Sequence, residues 1–239
     1  MKKYYFPAIG FGLFYQLGVL NNFPKEENCE IYGSSGGSII CMLSLLKEED
    51  RNIDFLMRIT NKIRKNLYFN LFPYLNHFIK EIFIILDSYE NTYIERKLKT
   101  IYIEVTEING WFHFKRKFIQ PRNLSELKHY IIASCYIPFL FWSQSPFYYT
   151  INDKKYIDGF FANFSNVSNN FIKINSYSYA SLIPPSEQKF RNDYQKGKKY
   201  NMTHKNTSLT IPIFIKMNLQ IILDLILYIP INIISIFQK

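Results

Sequence analysis

Short runs of strand-forming residues alternate with glycine-bearing loops and apolar helical stretches from the start of the chain. Tyr4 to Phe6 reads as a short strand, Pro7 to Gly12 as a glycine-containing loop, and Leu13 to Asn21 as a helix. Glu30 to Tyr32 reads as a second strand, Gly33-Ser34-Ser35-Gly36-Gly37 as a turn, and Ser38 to Leu46 as an apolar helix. Neighbouring parallel strands need a crossover, and a helix supplies one. Two strand–loop–helix units in the first 46 residues therefore predict an α/β sheet with parallel strands.

Further along, Asp54 to Leu86 is helical in pattern and rich in aromatics between Leu67 and Phe78. Ile101 to Thr106 alternates as a strand, Trp111 to Ile119 pairs with it, and Asn109-Gly110 is the hairpin turn between them. Ser125 to Ser134 reads as a helix. Tyr148 to Ile151 and Lys155 to Ile157 flank a second hairpin turn, Asn152-Asp153-Lys154; Ile172 to Asn175 is a short strand, and Ser186 to Tyr200 a polar, basic helix. The 19 residues from Leu219 to Phe237 are mostly Ile and Leu, near the length of a membrane span. Asp224 and Pro230 interrupt them, and Lys216, Gln220, Asp224, Tyr228 and Asn232 recur every four residues as a polar stripe. That stripe suits a helix lying in a membrane interface, or one packed on the protein, better than a lone span. The resulting division is an α/β domain over 1–185, a polar helix or linker over 186–210, and an apolar helical segment over 211–239, a candidate for membrane association.

Composition narrows the classes of function. The chain has 239 residues, enough for a sizeable α/β core, and its 48% hydrophobic content excludes wholesale disorder. A formal net charge of +10 and 18% aromatic residues suggest an anionic partner, nucleic acid or a lipid surface. The basic residues are scattered and no repeated basic–aromatic pattern of an RNA-binding sheet occurs, so nucleic acid is the poorer fit. The excess of Lys over Arg, with abundant Ile and Asn and few Ala, also has the look of AT-rich coding. Three cysteines, Cys29, Cys41 and Cys135, lack metal-ligand spacing and fit a reducing, intracellular compartment. The four histidines are isolated, so neither a metal nor a cofactor is expected. Lys2-Lys3 followed by apolar residues has the outline of a secretory leader. Pro7, Gly10, Gly12, Gln16 and Gly18 break that run, and no small-residue cleavage site closes it.

Chemistry concentrates at Gly33-Ser34-Ser35-Gly36-Gly37, a G-x-S-x-G pattern centred on Ser35. A strand before it and an apolar helix after it are what a nucleophile elbow needs. Small neighbours let the chain turn sharply, and the helix N-terminus stabilises developing negative charge. A glycine-rich turn that binds a phosphate is the plainer alternative. A serine nucleophile needs a base, and a carboxylate can serve if it is held against the hydroxyl. Asp158 follows a strand and precedes Gly159, which places a carboxylate at a strand end; Asp-Gly is equally an ordinary turn dipeptide.

These residues fall into a familiar order. Gly10 to Leu20, Gly33 to Gly37, Ala133-Ser134-Cys135-Tyr136-Ile137-Pro138 and Tyr156-Ile157-Asp158-Gly159-Phe160-Phe161-Ala162-Asn163 resemble four blocks of the patatin-like phospholipase family. Leu182-Ile183-Pro184-Pro185 and the polar helix after it are similar to the branch containing adipose triglyceride lipase and adiponutrin. The resemblance implies a three-layer α/β sandwich with a mainly parallel central sheet and helices on both faces. It implies a Ser35 nucleophile with Asp158 as its base, and hydrolysis through an acyl-enzyme. Gly10, Phe11, Gly12 and Gly36 would supply oxyanion-hole N–H groups, and Gly33, Gly37 and Gly159 are motif glycines. The implied partner is a lipid ester at a membrane or droplet surface.

Departures keep alternatives open. Ala8 and Ile9 stand where the family runs glycines, Leu13 stands at a helix-start glycine, and Phe160 replaces a small residue after Asp158-Gly159. A catalytically weakened or inactive lipid-binding member of the same fold is one alternative, and a transacylase is another. The aromatic stretch from Leu67 to Phe78 and the tail beyond Ile211 are candidates for an acyl-chain groove or a membrane-docking face.

Overall fold

In the computed structural model, the described residues are 1–8, 10–23, 29–64, 72–110, 113–138, 145, 147–164, 170–174 and 186–200. The strands are Lys2–Phe6 (β1), Cys29–Ser34 (β2), Ile101–Ile108 (β3), Phe114–Ile119 (β4), Tyr149–Ile151 (β5), Lys154–Ile157 (β6) and Ile172–Lys173 (β7). The α-helices are Leu13–Asn21 (α1), Gly36–Leu43 (α2), Ile53–Arg64 (α3), Phe72–Leu86 (α4), Asn91–Leu98 (α5), Leu124–Ser134 (α6) and Glu187–Lys198 (α7). Leu67 to Leu71, Leu182 to Pro185 and the apolar tail from Ile211 lie outside the described residues. Among the described residues, no helix is long and apolar enough to cross a membrane.

Among the described residues, the seven strands form one sheet in the order β5-β6-β3-β2-β1-β7, with β4 also paired to β3. The expected α/β class holds: β7, β1, β2 and β3 run parallel, and the sheet is flanked by helices. The other pairings, β3 with β4, β3 with β6 and β5 with β6, are antiparallel.

The two faces of the sheet differ. Tyr4, Phe6, Ile31, Ile101, Ile103 and Val105 point into the main core with the buried residues of α1, α2 and α6. Tyr5, Tyr32 and Phe171 pack on the opposite face with Tyr102 and Phe118; the Tyr32 and Tyr102 rings stack with centroids 4.5 Å apart. On that second face Glu104 is fully buried, its carboxylate 2.7 Å from the Arg116 guanidinium and hydrogen-bonded by the Tyr5 hydroxyl. A 3-10 turn, Gly159–Phe164, lies against β3 and β4.

How β3 shares its edges matters for the site. β4 pairs with Ile103 to Ile108, which overlaps the residues taken by β2 and those taken by β6. β2 and β6 must therefore occupy the same edge of β3, end to end, opposite β4. Ser34 is the last β2 residue, beside Glu104, and Ile157 is the last β6 residue, beside Thr106. The strands run in opposite directions, so their carboxyl ends meet.

Local signals explain most element ends. The Asn123 side chain caps α6 by accepting from the Glu126 N–H at 2.9 Å, and Ser186 caps α7 by accepting from the Lys189 N–H at 3.3 Å. Asn152 and Asp153, with φ of 48° and 61°, make the left-handed two-residue turn between β5 and β6. The polar helix expected from 186 packs on α1, where Gly18 and Gly197 let the helices touch. A Cβ on Gly18 would lie 2.1 Å from the Tyr194 carbonyl oxygen. The helical pattern from Asp54 to Leu86 divides into α3 and α4, and α5 is a helix that periodicity alone does not reveal.

Candidate active site

Ser35 is the single residue between β2 and α2. Its φ of 50° and ψ of −121° are rare for a residue with a side chain, a strain on the order of 1–3 kcal/mol. The five-residue turn expected over Gly33 to Gly37 contracts to this residue: Gly33 and Ser34 complete the strand, and Gly36 opens the helix. The sharpness of the bend is the reason. Helix and strand pack so closely that a Cβ on Gly37 would lie 2.0 Å from the Phe6 carbonyl oxygen, and one on Gly33 would lie 2.1 Å from that of Gly37.

The Ser35 hydroxyl donates to Asp158 Oδ2 at 2.7 Å. Ser35 keeps 8% of its surface exposed, whereas Asp158 keeps 1%, so the serine is the more accessible residue of the pair. Asp158 follows β6 and is held from several sides. Its N–H donates to the Tyr136 carbonyl at 2.8 Å, its carbonyl accepts from Thr106 Oγ1 at 2.9 Å, and Oδ1 accepts from the Phe160 N–H at 2.7 Å. Phe160, whose bulk the sequence sets against the pair, thus supports it through the backbone, while its ring lies 5.9 Å from that of Phe161. Gly159 admits this approach: a Cβ there would lie 2.5 Å from Ser34 Oγ and 2.7 Å from the Glu104 carbonyl oxygen.

Burial raises the Asp158 carboxyl to about 7; the Phe160 N–H and the Ser35 hydroxyl pull it down, and the Glu104 charge adds to the rise. Desolvation wins because so little of the carboxylate reaches water. A carboxylate whose proton affinity sits near neutrality is a competent base at neutral pH. The nearby Cys135 thiol, its Sγ 3.6 Å from Ser38 Oγ, is pushed well above the usual thiol range by burial and by the Asp158 charge. It stays protonated, so it is a poor competing nucleophile.

Two segments frame the serine. Gly10, with a φ of 52° that favours glycine, sits in the first loop against Gly36, where a Cβ would be 2.6 Å from the Gly10 carbonyl oxygen and 3.2 Å from its nitrogen. Phe11 follows, with its ring 6.5 Å from Phe190, and Gly12 caps α1. The buried Gln16 side chain donates to the Pro7 carbonyl at 3.0 Å and ties the loop to α1. The N–H groups of Gly36 and Gly37, at the start of α2, have no partner within that helix. Gly10 and Gly36 thus come together beside Ser35, while Ile9 lies outside the described residues.

Sequence reasoning gave no role to Ser134, Thr106 or Tyr136. Ser134 and Tyr136 fall inside the Ala133 to Pro138 block, but nothing in its spacing says which atoms they hold. Thr106 reads as one more β-branched strand residue.

A buried serine–carboxylate pair thus sits at a strand-to-helix elbow, on an α/β sheet flanked by helices. The sequence profile of the patatin-like phospholipase family matches residues 10–169, about two thirds of the chain. The protein belongs to that family, and membership makes lipid acyl ester hydrolysis its class of activity. The match ends before Leu182 to Pro185, so it carries the family and not the adipose triglyceride lipase and adiponutrin branch. No curated protein matches the chain.

Proposed function

We propose that the protein hydrolyses carboxylic esters of phospholipids or glycerides, with Ser35 as nucleophile and Asp158 as its base. The observation that carries this reading is the 2.7 Å hydrogen bond from the Ser35 hydroxyl to a buried carboxylate at the tip of an elbow. Ser35 Oγ attacks the ester carbonyl carbon while Asp158 Oδ2 takes its proton. The oxyanion is held by N–H groups of Gly10, Phe11 and Gly12 and that of Gly36 at the start of α2. Collapse of the tetrahedral intermediate breaks the ester C–O bond, and the departing alcohol takes the proton from Asp158. Water, deprotonated by the same carboxylate, then cleaves the acyl-serine and restores both residues.

The substrate on this reading lies in a membrane or droplet surface, and the basic charge favours anionic lipid, each Lys or Arg near the surface adding about 1 kcal/mol. No cofactor takes part. The test is turnover of a short-chain nitrophenyl ester by the wild type and by Ser35→Ala. The wild type is expected to hydrolyse it, and the variant to lose roughly 10⁴-fold or more in kcat. Equal rates would reject Ser35 as the nucleophile. A folded wild-type protein that binds lipid without ester turnover would instead favour the inactive lipid-binding reading.

A further inference from the structure

We infer that Ser134 is the positioning residue of the nucleophile, its hydroxyl standing in for the first missing rung of the β2–β3 ladder. This rests on the reading of Ser35 as nucleophile.

The Ile31 N–H donates to the Thr100 carbonyl at 2.8 Å, with Ile31 beside Ile101. Parallel pairing repeats every two residues, so the same series continues with Gly33 to Tyr102 and then Ser35 to Glu104. At Ser35 the backbone swings out of the sheet into its positive-φ bend, and the direct rung is replaced. The Ser35 N–H donates to Ser134 Oγ at 2.9 Å, and Ser134 Oγ donates to the Glu104 carbonyl at 2.6 Å. One fully buried hydroxyl, from the last residue of α6, therefore spans the gap and satisfies both groups.

Its consequence is a common reference for both reacting groups. Two residues further along β3, on the same face, the Thr106 hydroxyl donates to the Asp158 carbonyl at 2.9 Å. Gly159 also packs on the Glu104 carbonyl that Ser134 occupies. β3 thus acts as a ruler: Glu104 sets the nucleophile through Ser134, and Thr106 sets the base directly. The hydroxyl of Ser134 never touches substrate. Its effect is on where Ser35 Oγ sits relative to Asp158 and the oxyanion donors.

The test compares wild type, Ser134→Ala, Ser134→Cys and Ser134→Thr, with Ser35→Ala alongside, on a soluble nitrophenyl ester and in thermal unfolding. Ser134→Ala and Ser134→Cys are expected to lose roughly 10- to 100-fold in kcat, the scale of a small misplacement of a reacting atom. KM should stay within about twofold, and the pH dependence of kcat/KM should be unchanged because Asp158 keeps its surroundings. Ser134→Thr, which keeps the hydroxyl, should recover most of kcat. If Ser134→Ala does not fold, the contrast between the thiol and threonine variants carries the test. Wild-type kcat in a variant lacking the hydroxyl would overturn the proposal, as would equal losses in Thr and Cys that follow the melting temperature. Full activity in Ser35→Ala would overturn the nucleophile assignment itself.

Discussion

Asp158 is a carboxylate that folding makes harder to ionise, and this has consequences of opposite sign for stability and activity. In the unfolded chain it loses its proton near the ordinary 3.8, and in the folded protein near 7. Between those values the folded state holds more protons, so this group's contribution to stability falls as pH rises and is fully lost above about 7. Asp158→Asn removes the cost of a buried charge. The variant is expected to unfold at a higher temperature than wild type at about pH 8, with the advantage fading toward about pH 4, and with an upper bound of about 4 kcal/mol. Equal unfolding temperatures across that range would contradict the burial argument. On the proposed mechanism activity runs the other way, because only the ionised carboxylate can accept the serine proton. Wild-type kcat/KM should rise with pH through an apparent pKa near 7, and Asp158→Asn should be inactive at every pH. A flat profile through neutrality would reject Asp158 as the base.

Among the elements, α1 and α7 meet at two glycines, and a Cβ on Gly18 would sit 2.1 Å from a carbonyl of the partner helix. Gly18→Ala must push the helices apart, and is expected to cost about 1–3 kcal/mol in chemical denaturation. An unchanged midpoint would mean that this docking contributes little. Most strands and helices were legible in the sequence because each depends on a local pattern: alternation in Ile101 to Thr106, the Asn-Asp turn after β5, the apolar run after Ser35. The candidate pair was legible too, but only as two motifs far apart. What brings them together is the shared edge of β3, a feature of topology that neither motif contains. The roles of Ser134 and Thr106 were hidden for the same reason, since their partners lie 99 and 52 residues away in the chain. The elbow is shorter than its five small residues suggest, because strand and helix close in on Ser35 from both sides.

For the whole molecule, the net charge of +10 and the fold bear on different questions. The sheet holds the serine and the carboxylate in place, while on the proposed reading the scattered lysines favour an anionic lipid surface. Ser35→Ala protein, which leaves the lipid uncleaved, is expected to sediment with vesicles containing anionic phospholipid more than with zwitterionic ones, and to be released by high salt. Indifference to vesicle charge would remove the electrostatic part of the account. The central claim is that Ser35 is a nucleophile activated by Asp158, and covalent capture tests it most directly. The intact protein is treated with a fluorophosphonate and the modified residue located by mass spectrometry. One adduct per chain on Ser35, absent in Ser35→Ala and strongly slowed in Asp158→Asn, is the predicted result. A folded wild-type protein that takes up no label at Ser35, or labels equally fast without Asp158, would contradict it.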